Sequence, residues 1–321
     1  MPVKKPMTMV AATIGAIVAF LASLRWLVRR RETTTWSEAK RPGEVVIVDG
    51  VAVHYVEKGR RDAPAIVMIH GFGGHTFSFR HQTAAFSSQY RVVAIDLKGF
   101  GYSERQPGGD CSLTGQAQLV LDTMSALGID RAVLVGHSMG GEVVMRAAAM
   151  APDRAEKLIL VASVPGDRLP TLPRIGFMRP VAMATSRLIS ISAWRRMFYD
   201  RTKLDLKAIR NSYVAPLRIE GTEDALWDMY AHARRDKPID YKRITAPVLI
   251  LWAEKERVVP FASRSLKLLK KHFPSAEVVT IPETGHLVLE ENPSASNAAI
   301  RAFLNTPESP AETVEAVETR V

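Results

Sequence analysis

One stretch constrains the fold of this chain more than any other: residues 131–141, RAVLVGHSMGG. An apolar run at 132–135 predicts a buried strand, and the run at 142–150 predicts a helix. Between them the sequence GHSMG at 136–140 is a G-x-S-x-G pattern. On a strand-to-helix turn this pattern forms a sharp elbow that exposes the serine hydroxyl. The stretch therefore predicts an α/β fold that presents Ser138 as a nucleophile.

Small neighbours make such an elbow possible. Gly136 and Gly140 have no Cβ, so the backbone can turn tightly at the serine. Ser138 would then lie at a helix N-terminus, where N–H groups and the helix dipole favour developing negative charge. The five-residue pattern alone also arises by chance, but its place between a strand and a helix makes it informative.

Strands and helices alternate along the rest of the chain. Besides 132–135, strands are predicted at 44–49, 51–57, 65–69, 91–95, 157–161, 247–252 and 277–281, and helices near 76–88, 114–127, 260–272 and 286–304. The first two strands flank Gly50 and predict an antiparallel hairpin. The fold class is therefore α/β, with a mostly parallel eight-stranded sheet flanked by helices.

Charge and hydropathy set one end of the chain apart. The net charge is +10, and residues 1–31 hold six basic residues and no acidic one. Residues 7–24 contain no charge, which is about the length of a bilayer-spanning helix. We expect an uncleaved single-pass membrane anchor, with the rest of the chain leaning to the cytoplasmic face. The alternative is a cleaved signal peptide with Lys4 and Lys5 as its basic start. We find no nucleic-acid-binding motif.

A serine nucleophile needs a base, and on this kind of sheet the base is a histidine near the end of the chain. His286 follows Gly285 directly after the last predicted strand, where a loop would return it to the edge that carries Ser138. His232 and His272 lack this context. We therefore predict that His286 takes the proton from Ser138.

The carboxylate that orients the base is expected in the loop after the strand at 247–252. Glu256 is the first choice because the next helix starts just beyond it. Glu254, two residues nearer the strand, is the close competitor, and Asp167 after the preceding strand is a third. The single cysteine, Cys111, excludes an intrachain disulfide and a cysteine-based metal site.

An acyl-transfer intermediate also needs two N–H donors for its oxyanion. One is predicted to be the backbone N–H of Met139, directly after the nucleophile. The other is expected from the glycine-rich loop HGFGG at 70–74, with Phe72 N–H as the best candidate. This loop lacks the GK[ST] ending of a phosphate-binding P-loop.

These motifs together resemble the α/β-hydrolase superfamily. They are HGFGG at 70–74, DLKGFGYS at 96–103, GHSMGG at 136–141, WAEKERVVP at 252–260 and GH at 285–286. Close relatives usually read W-G-x-x-D-x-x-x-P at the fourth motif, which places Glu256 at the aspartate. The resemblance implies a helical cap inserted after strand 6, and neither a metal nor an organic cofactor.

The expected organisation follows from these assignments. It comprises an N-terminal membrane segment at 1–31, a polar linker at 32–43, an α/β-hydrolase core at 44–163 and 245–305, a helical cap at 164–244 and a disordered acidic tail at 306–321. The first cap helix is predicted at 181–199 from its apolar stripe.

The leading functional hypothesis is a serine hydrolase that cleaves a small hydrophobic or lipid-like carboxylic ester. Ser138 would be the nucleophile, His286 the base and Glu256 its orienting acid. One alternative is a carbon–carbon bond hydrolase of ring-cleavage products, which uses the same residue set. Another is a ligand-binding or signalling protein that keeps the fold without catalysis. The sequence indicates neither the acyl length nor the oligomeric state.

Overall fold

The structure is a computed structural model, and it describes residues 15–16, 18–23, 26, 30–105, 110–166, 196–203, 205–232, 236–259 and 262–306. Eight strands form one sheet in the order β1-β2-β4-β3-β5-β6-β7-β8. They are β1 (Glu44–Val48), β2 (Val51–Lys58), β3 (Ala65–Ile69), β4 (Arg91–Ile95), β5 (Ala132–His137), β6 (Ala155–Val161), β7 (Val248–Ala253) and β8 (Glu277–Ile281). Strands β1 and β2 form the predicted hairpin, β2 is antiparallel to β4, and every other pair is parallel. The predicted α/β sheet is confirmed.

The inner strands of the sheet are mostly apolar, and a core layer covers each face of the sheet. In β4, Val93 and Ile95 face one core layer while Val92 and Ala94 face the other. This alternation follows from the two-residue period of a strand, and a strand buried on both faces therefore reads as a continuous apolar run. The sequence signal of the central strands thus reflects a two-layered core.

Eight α-helices are described. They are α1 (Arg80–Phe86), α2 (Leu113–Ala126), α3 (Met139–Met150), α4 (Leu206–Ala208), α5 (Thr222–His232), α6 (Ala262–His272), α7 (Val288–Glu291) and α8 (Pro293–Leu304). The helix predicted near 286–304 is two helices, because Pro293 lacks an N–H and occupies the first position of α8. The helix predicted near 76–88 begins with a 3-10 turn, Thr76–Phe79.

The parallel strands carry their following loops to one edge of the sheet. In the register, Ile69 at the end of β3 is paired with Gly136 of β5, and Ala253 at the end of β7 is paired with Ile281 of β8. The loops after these strands hold the motifs at 70–74, 136–141 and 252–260. This carboxyl edge is the place where an open α/β sheet binds its ligands.

Between β6 and β7 lies a long insertion, residues 162–247. Its described parts form short helical pieces: Arg201–Lys203, α4, the π-helical turn Ile209–Tyr213, Pro216–Arg218, α5 and Tyr241–Arg243. Most of the helix predicted at 181–199 lies outside the described residues, and so does Asp167. The assignment of this insertion as a separate cap remains a prediction.

Arg105 fastens the insertion to the core. Its buried guanidinium donates to Thr222 Oγ1 at 2.8 Å and to the Pro216 carbonyl at 3.0 Å. It also donates to the Gly101 and Ser103 carbonyls, at 2.6 and 2.8 Å. Burial lowers the pKa of Arg105 to about 10, with nearby acidic groups opposing that shift, so the guanidinium stays charged. One side chain thus joins the loop after β4 to the start of α5.

The segment at 32–41, which we call the strap, also contacts the insertion. Thr34 forms a parallel bridge with Ile219. The carboxylate of Glu32 accepts hydrogen bonds from the N–H groups of Gly221 and Glu223, at 3.1 and 2.8 Å. It therefore caps the N-terminus of α5, where orphan N–H groups and the helix dipole favour a negative charge.

The predicted membrane segment is wrong. No helix among the described residues is long and apolar enough to cross a membrane. The predicted membrane-anchored localisation at 1–31, with its lean to the cytoplasmic face, is overturned by the same finding.

Candidate active site

Ser138 occupies the turn between β5 and α3 in a strained conformation. Its backbone angles are φ 54° and ψ −118°, in the region that favours glycine. Its N–H donates to the Val161 carbonyl at 2.9 Å, and its own carbonyl accepts from Gly141 N–H at 3.0 Å. The fold therefore holds this conformation from both sides, as is typical of functional sites.

The glycines of the elbow are required by close backbone contacts. A Cβ added to Gly136 would clash with the Gly140 carbonyl, and one added to Gly140 would clash with the Ile69 carbonyl. A Cβ on Gly71 would lie 2.9 Å from Ser138 Cβ. The loop after β3 thus approaches the serine closely because Gly71 has no side chain.

His286 and Glu256 meet at the same edge of the sheet. Nδ1 of His286 lies 2.8 Å from Oε2 of Glu256, and the two side chains are 4% and 1% exposed. The other oxygen of Glu256 accepts from the N–H groups of Val258 and Val259, at 2.7 and 3.0 Å. The carboxylate is therefore fixed by its own loop and in turn orients the imidazole.

The electrostatics of this pair favour an ionised acid. Burial raises the pKa of Glu256, but the hydrogen bond and charge of His286 and the two backbone N–H groups outweigh it. The net effect places the pKa below the ordinary value for glutamate. An ionised Glu256 keeps the proton of His286 on Nδ1 and leaves Nε2 as the basic nitrogen.

The competing residues lie in other surroundings. The carboxylate of Glu254 is exposed, pairs with Lys255 Nζ at 2.8 Å and accepts from Glu283 N–H at 2.9 Å. His232 Nδ1 accepts from Cys111 N–H at 3.2 Å, and His272 stacks on Tyr241 with ring centroids 3.7 Å apart. Glu256, and not Glu254, is the described candidate acid that contacts His286. Its role as the triad acid stays a prediction.

A small pocket that is open to solvent, with a volume of about 20 Å³, brings Ser138, His286 and Phe72 together. It is lined by Gly71, Phe72, Gly74, Ser78, His137, Ser138, Met197, His286 and Leu287. Ser138 and His286 therefore face one space, with the glycine-rich loop at its wall. Met139, predicted to supply the second oxyanion donor, is the first residue of α3, where an N–H has no intrahelical acceptor. The oxyanion roles of Phe72 and Met139 remain predictions.

His137 contributes to the site in a way that the sequence did not indicate. Its Nε2–H donates to the carbonyl of His286 at 2.9 Å, and the two rings lie 4.8 Å apart. Burial, and then the neighbouring His286, lower the pKa of His137 to about 3, so the ring is neutral. His137 therefore positions the backbone of the predicted base.

Glu291 joins the loop of His286 to the insertion. Its buried carboxylate accepts from Gly285 N–H at 2.8 Å, from Tyr199 N–H at 3.1 Å and from Asp200 N–H at 2.6 Å. A Cβ on Gly285 would lie 2.5 Å from the Met197 carbonyl. The glycine before His286 therefore lets the insertion reach the pocket.

Asp96 organises the loops on the other side of the pocket. Its carboxylate accepts from Thr76 N–H at 2.6 Å and Tyr102 N–H at 2.8 Å, and lies 2.7 Å from His54 Nδ1. Burial raises the pKa of Asp96, but the hydrogen bond and charge of His54 outweigh it and lower the pKa to about 2. The aspartate of the DLKGFGYS motif thus fixes the segment that follows the glycine-rich loop.

Several known proteins that are similar to this chain are named as hydrolases. An uncharacterised hydrolase, YugF, of Bacillus subtilis strain 168 is 30% identical over 275 residues, covering 83% of this chain and 99% of YugF. Mouse epoxide hydrolase 3 is 24% identical over 278 residues, covering 79% and 74% of the two chains. Among solved structures, a variant of the meta-cleavage product hydrolase CumD is 25% identical with a TM-score of 0.67, covering 82% and 98%.

The sequence profile described as alpha/beta hydrolase fold matches residues 64–293. This range begins at β3 and includes the elbow, Glu256 and His286. The profile match and the similarity to YugF agree with the eight-stranded sheet and its elbow, and the chain belongs to the α/β-hydrolase family.

Proposed function

We propose that this chain is a serine hydrolase that cleaves carboxylic esters with a hydrophobic acyl group. One observation carries the proposal: His286, which is paired with the buried carboxylate of Glu256, lines the same pocket as the strained Ser138. Nucleophile, base and orienting acid are the set that acyl transfer needs.

The reaction proceeds through an acyl-enzyme. Ser138 Oγ attacks the ester carbonyl while His286 Nε2 takes the hydroxyl proton, and the N–H groups of Phe72 and Met139 hold the oxyanion. The tetrahedral intermediate then breaks its bond to the alcohol oxygen, which receives the proton from His286. A water molecule attacks the acyl group with His286 again as base, and the acid leaves as Ser138 regains its proton. No step requires a metal or an organic cofactor.

The pocket wall supports an apolar acyl group. Phe72, Met197 and Leu287 line it beside Ser138. Removal of an alkyl chain from water contributes about 0.8 kcal/mol per buried CH₂. Lengthening the acyl chain should therefore raise kcat/KM until the pocket is filled.

The serine argues against epoxide opening despite the similarity to mouse epoxide hydrolase 3. In the related hydrolases that open epoxides or remove halide, an aspartate at the elbow attacks the substrate. Ser138 stands at that position here. Ester cleavage therefore fits the residue at the elbow better.

A second candidate is hydrolysis of a carbon–carbon bond in a ring-cleavage product. The similarity to CumD, a meta-cleavage product hydrolase, favours it. It would use the same serine, histidine and acid on a dienoate.

The two candidates separate in one set of assays. We would measure kcat/KM for p-nitrophenyl esters from acetate to dodecanoate and for a 2-hydroxy-6-oxo-dienoate, with wild type beside Ser138→Ala. The proposal expects ester turnover that needs Ser138 and rises with chain length. A dienoate kcat/KM above that of every ester would favour the second candidate. Tight retention of ligand without turnover would instead indicate a binding protein.

A further inference from the structure

Glu291 is a buried acid beside the site that the proposed reaction does not use. It is the last residue of α7, five residues after His286, and is 3% exposed. Within the described part of the chain, no basic side chain forms an ion pair with it. Burying a carboxylate costs free energy unless other groups bond it, so its partners show what it stabilises.

The partners of this carboxylate are three backbone N–H groups from two separate segments. Oε2 accepts from Gly285 N–H at 2.8 Å and from Tyr199 N–H at 3.1 Å. Oε1 accepts from Asp200 N–H at 2.6 Å. Hydrogen bonds to an ionised acceptor are shorter and stronger than those between neutral groups. The carboxylate therefore fixes the backbone of both segments at once.

The bond to Gly285 closes a short loop around the predicted base. The chain runs from Gly285 through His286 and α7, and the Glu291 side chain returns to the Gly285 N–H. On the other side of the base, the His286 carbonyl accepts from His137 Nε2 at 2.9 Å. The backbone of His286 is thus held both before and after the residue, and its imidazole extends from there to Glu256 at 2.8 Å.

The insertion packs against the same loop. A Cβ added to Gly285 would lie 2.5 Å from the Met197 carbonyl and 2.7 Å from Tyr199 N. Met197 lines the pocket together with His286. Because Glu291 bonds Tyr199 and Asp200 as well as Gly285, one carboxylate holds this stretch of the insertion against the loop of the base.

We propose that Glu291 is a positioning residue whose carboxylate holds His286 where it exchanges protons with Ser138 and with the leaving alcohol. This inference rests on the proposed ester hydrolysis. Glutamine has nearly the size of glutamate, but its amide has one oxygen, and its NH₂ group only donates. In Glu291→Gln at least one of the three N–H groups therefore loses its acceptor, whichever way the amide is turned.

The first test compares two esters with the same acyl group and different alcohols. The ethoxide of ethyl hexanoate needs a proton from His286 as it leaves, whereas p-nitrophenolate leaves without one. We expect Glu291→Gln to lower kcat/KM by about 10²-fold for ethyl hexanoate and by about tenfold for p-nitrophenyl hexanoate. A smaller amount of folded enzyme would lower both values equally, so the ratio of the two separates positioning from stability.

The second test needs no substrate. A buried ring proton that a histidine donates to a carboxylate gives a downfield resonance in the proton NMR spectrum. Two are expected, one from His286 Nδ1 to Glu256 at 2.8 Å and one from His54 Nδ1 to Asp96 at 2.7 Å. The resonance that is lost in Glu256→Gln belongs to His286. In Glu291→Gln it should shift or broaden, while the His54 resonance stays in place.

Glu283→Gln is the matched control. Glu283 is an exposed acid in the same loop between β8 and α7. This variant should keep both the wild-type ratio and the His286 resonance. If Glu291→Gln does not fold, judged by its melting curve, Glu291→Asp gives the same two measurements, because its carboxylate is one methylene shorter.

The outcomes are separable from failure of the proposed function. If the wild type hydrolyses neither ester, the proposed function fails, and the His286 resonance alone decides whether Glu291 positions the histidine. If it hydrolyses both, an unchanged ratio or an unmoved His286 resonance in the folded variant overturns the role of Glu291 while ester hydrolysis stands.

Discussion

The carboxyl edge of the sheet and the insertion are held in place by different forces. At the edge, backbone packs directly on backbone, because the elbow glycines leave no room for a Cβ. The buried Asp96 carboxylate also accepts hydrogen bonds from two loop N–H groups. In the insertion, short helical turns depend on side chains from distant parts of the chain. Arg105 and Glu32 bond the start of α5, and Glu291 bonds the segment at 199–200.

Because of this difference, we expect the carboxyl edge to tolerate substitution less well than the insertion. Backbone packing at the elbow tolerates almost no change, which suits groups that must meet in one geometry. Side-chain bonds can be lost one at a time, so the insertion can vary while the edge stays intact. The predictions below test this contrast from the largest expected effect to the smallest.

The largest effect is expected at the elbow. Ser138→Gly should reduce ester kcat/KM by about 10⁴- to 10⁶-fold, because the nucleophile is lost. The same change should raise the free energy of unfolding by about 0.5 kcal/mol, because glycine relieves the positive φ and offsets its own entropic cost. Urea unfolding beside Ser138→Ala, which loses the nucleophile but keeps the Cβ, measures this strain. Equal stability of the two variants would mean that the elbow stores no backbone strain.

The next largest effect is expected at Glu256, the predicted triad acid. Glu256→Gln should lower kcat by about 10²- to 10⁴-fold, because an amide cannot stabilise the charged imidazole. The exposed Glu254→Gln is the matched control and should retain wild-type kcat. If Glu254→Gln shows the larger loss, the assignments of the two residues must be exchanged.

The difference in stability between wild type and Glu256→Gln should depend on pH. The pKa of Glu256 is depressed in the folded state, so its contribution to stability is present above the unfolded value of about 4.3. The contribution is lost as the pH falls through the folded pKa. The stability difference between wild type and Glu256→Gln should therefore be constant from about pH 6 to 8 and shrink below about pH 4. A difference that grows on acidification would contradict the depressed pKa.

A smaller effect is expected where the insertion meets the core. Arg105→Ala removes a buried guanidinium and leaves carbonyl acceptors unpaired, so it should reduce the free energy of unfolding by about 3 kcal/mol. Limited proteolysis should cut the insertion sooner than the sheet. Arg60→Ala is the control, since Arg60 is exposed and pairs only with Asp62 in the described structure. Cleavage of the sheet and the insertion at equal rates would contradict the contrast between the two regions.

The smallest effect is expected in the strap. Glu32→Ala removes the cap of α5 and should reduce the free energy of unfolding by about 1 kcal/mol. Glu220→Ala, an exposed acid close to the same helix, should leave stability unchanged. Equal stability of both variants would show that the strap contact contributes nothing.

The sequence predicts those features whose residues lie close together along the chain. Gly136, Ser138 and Gly140 lie within five residues between an apolar run and a helical run, so local sequence identifies the elbow. The apolar strands are equally local, and all eight were predicted to within about two residues at each end. Glu256 and His286 come together because each follows a strand of the same parallel sheet.

The residues that were missed act over longer separations or by burial. Glu291 and Tyr199 are 92 residues apart, and Arg105 and Pro216 are 111 apart. No spacing rule relates such pairs, because the irregular path of the insertion decides which side chains meet. The membrane anchor was predicted from the composition of residues 7–24 alone, and no described helix could span a membrane.

The most direct test of the account is covalent labelling of the folded chain with a fluorophosphonate, followed by mass measurement of the intact chain and of its tryptic peptides. We predict one adduct per chain, on the peptide that contains Ser138, with no adduct on folded Ser138→Ala. An activated serine at the elbow would then be established directly. A folded wild-type chain that takes up no label, or takes it up equally in Ser138→Ala, would contradict the central claim that this edge of the sheet is a serine hydrolase site.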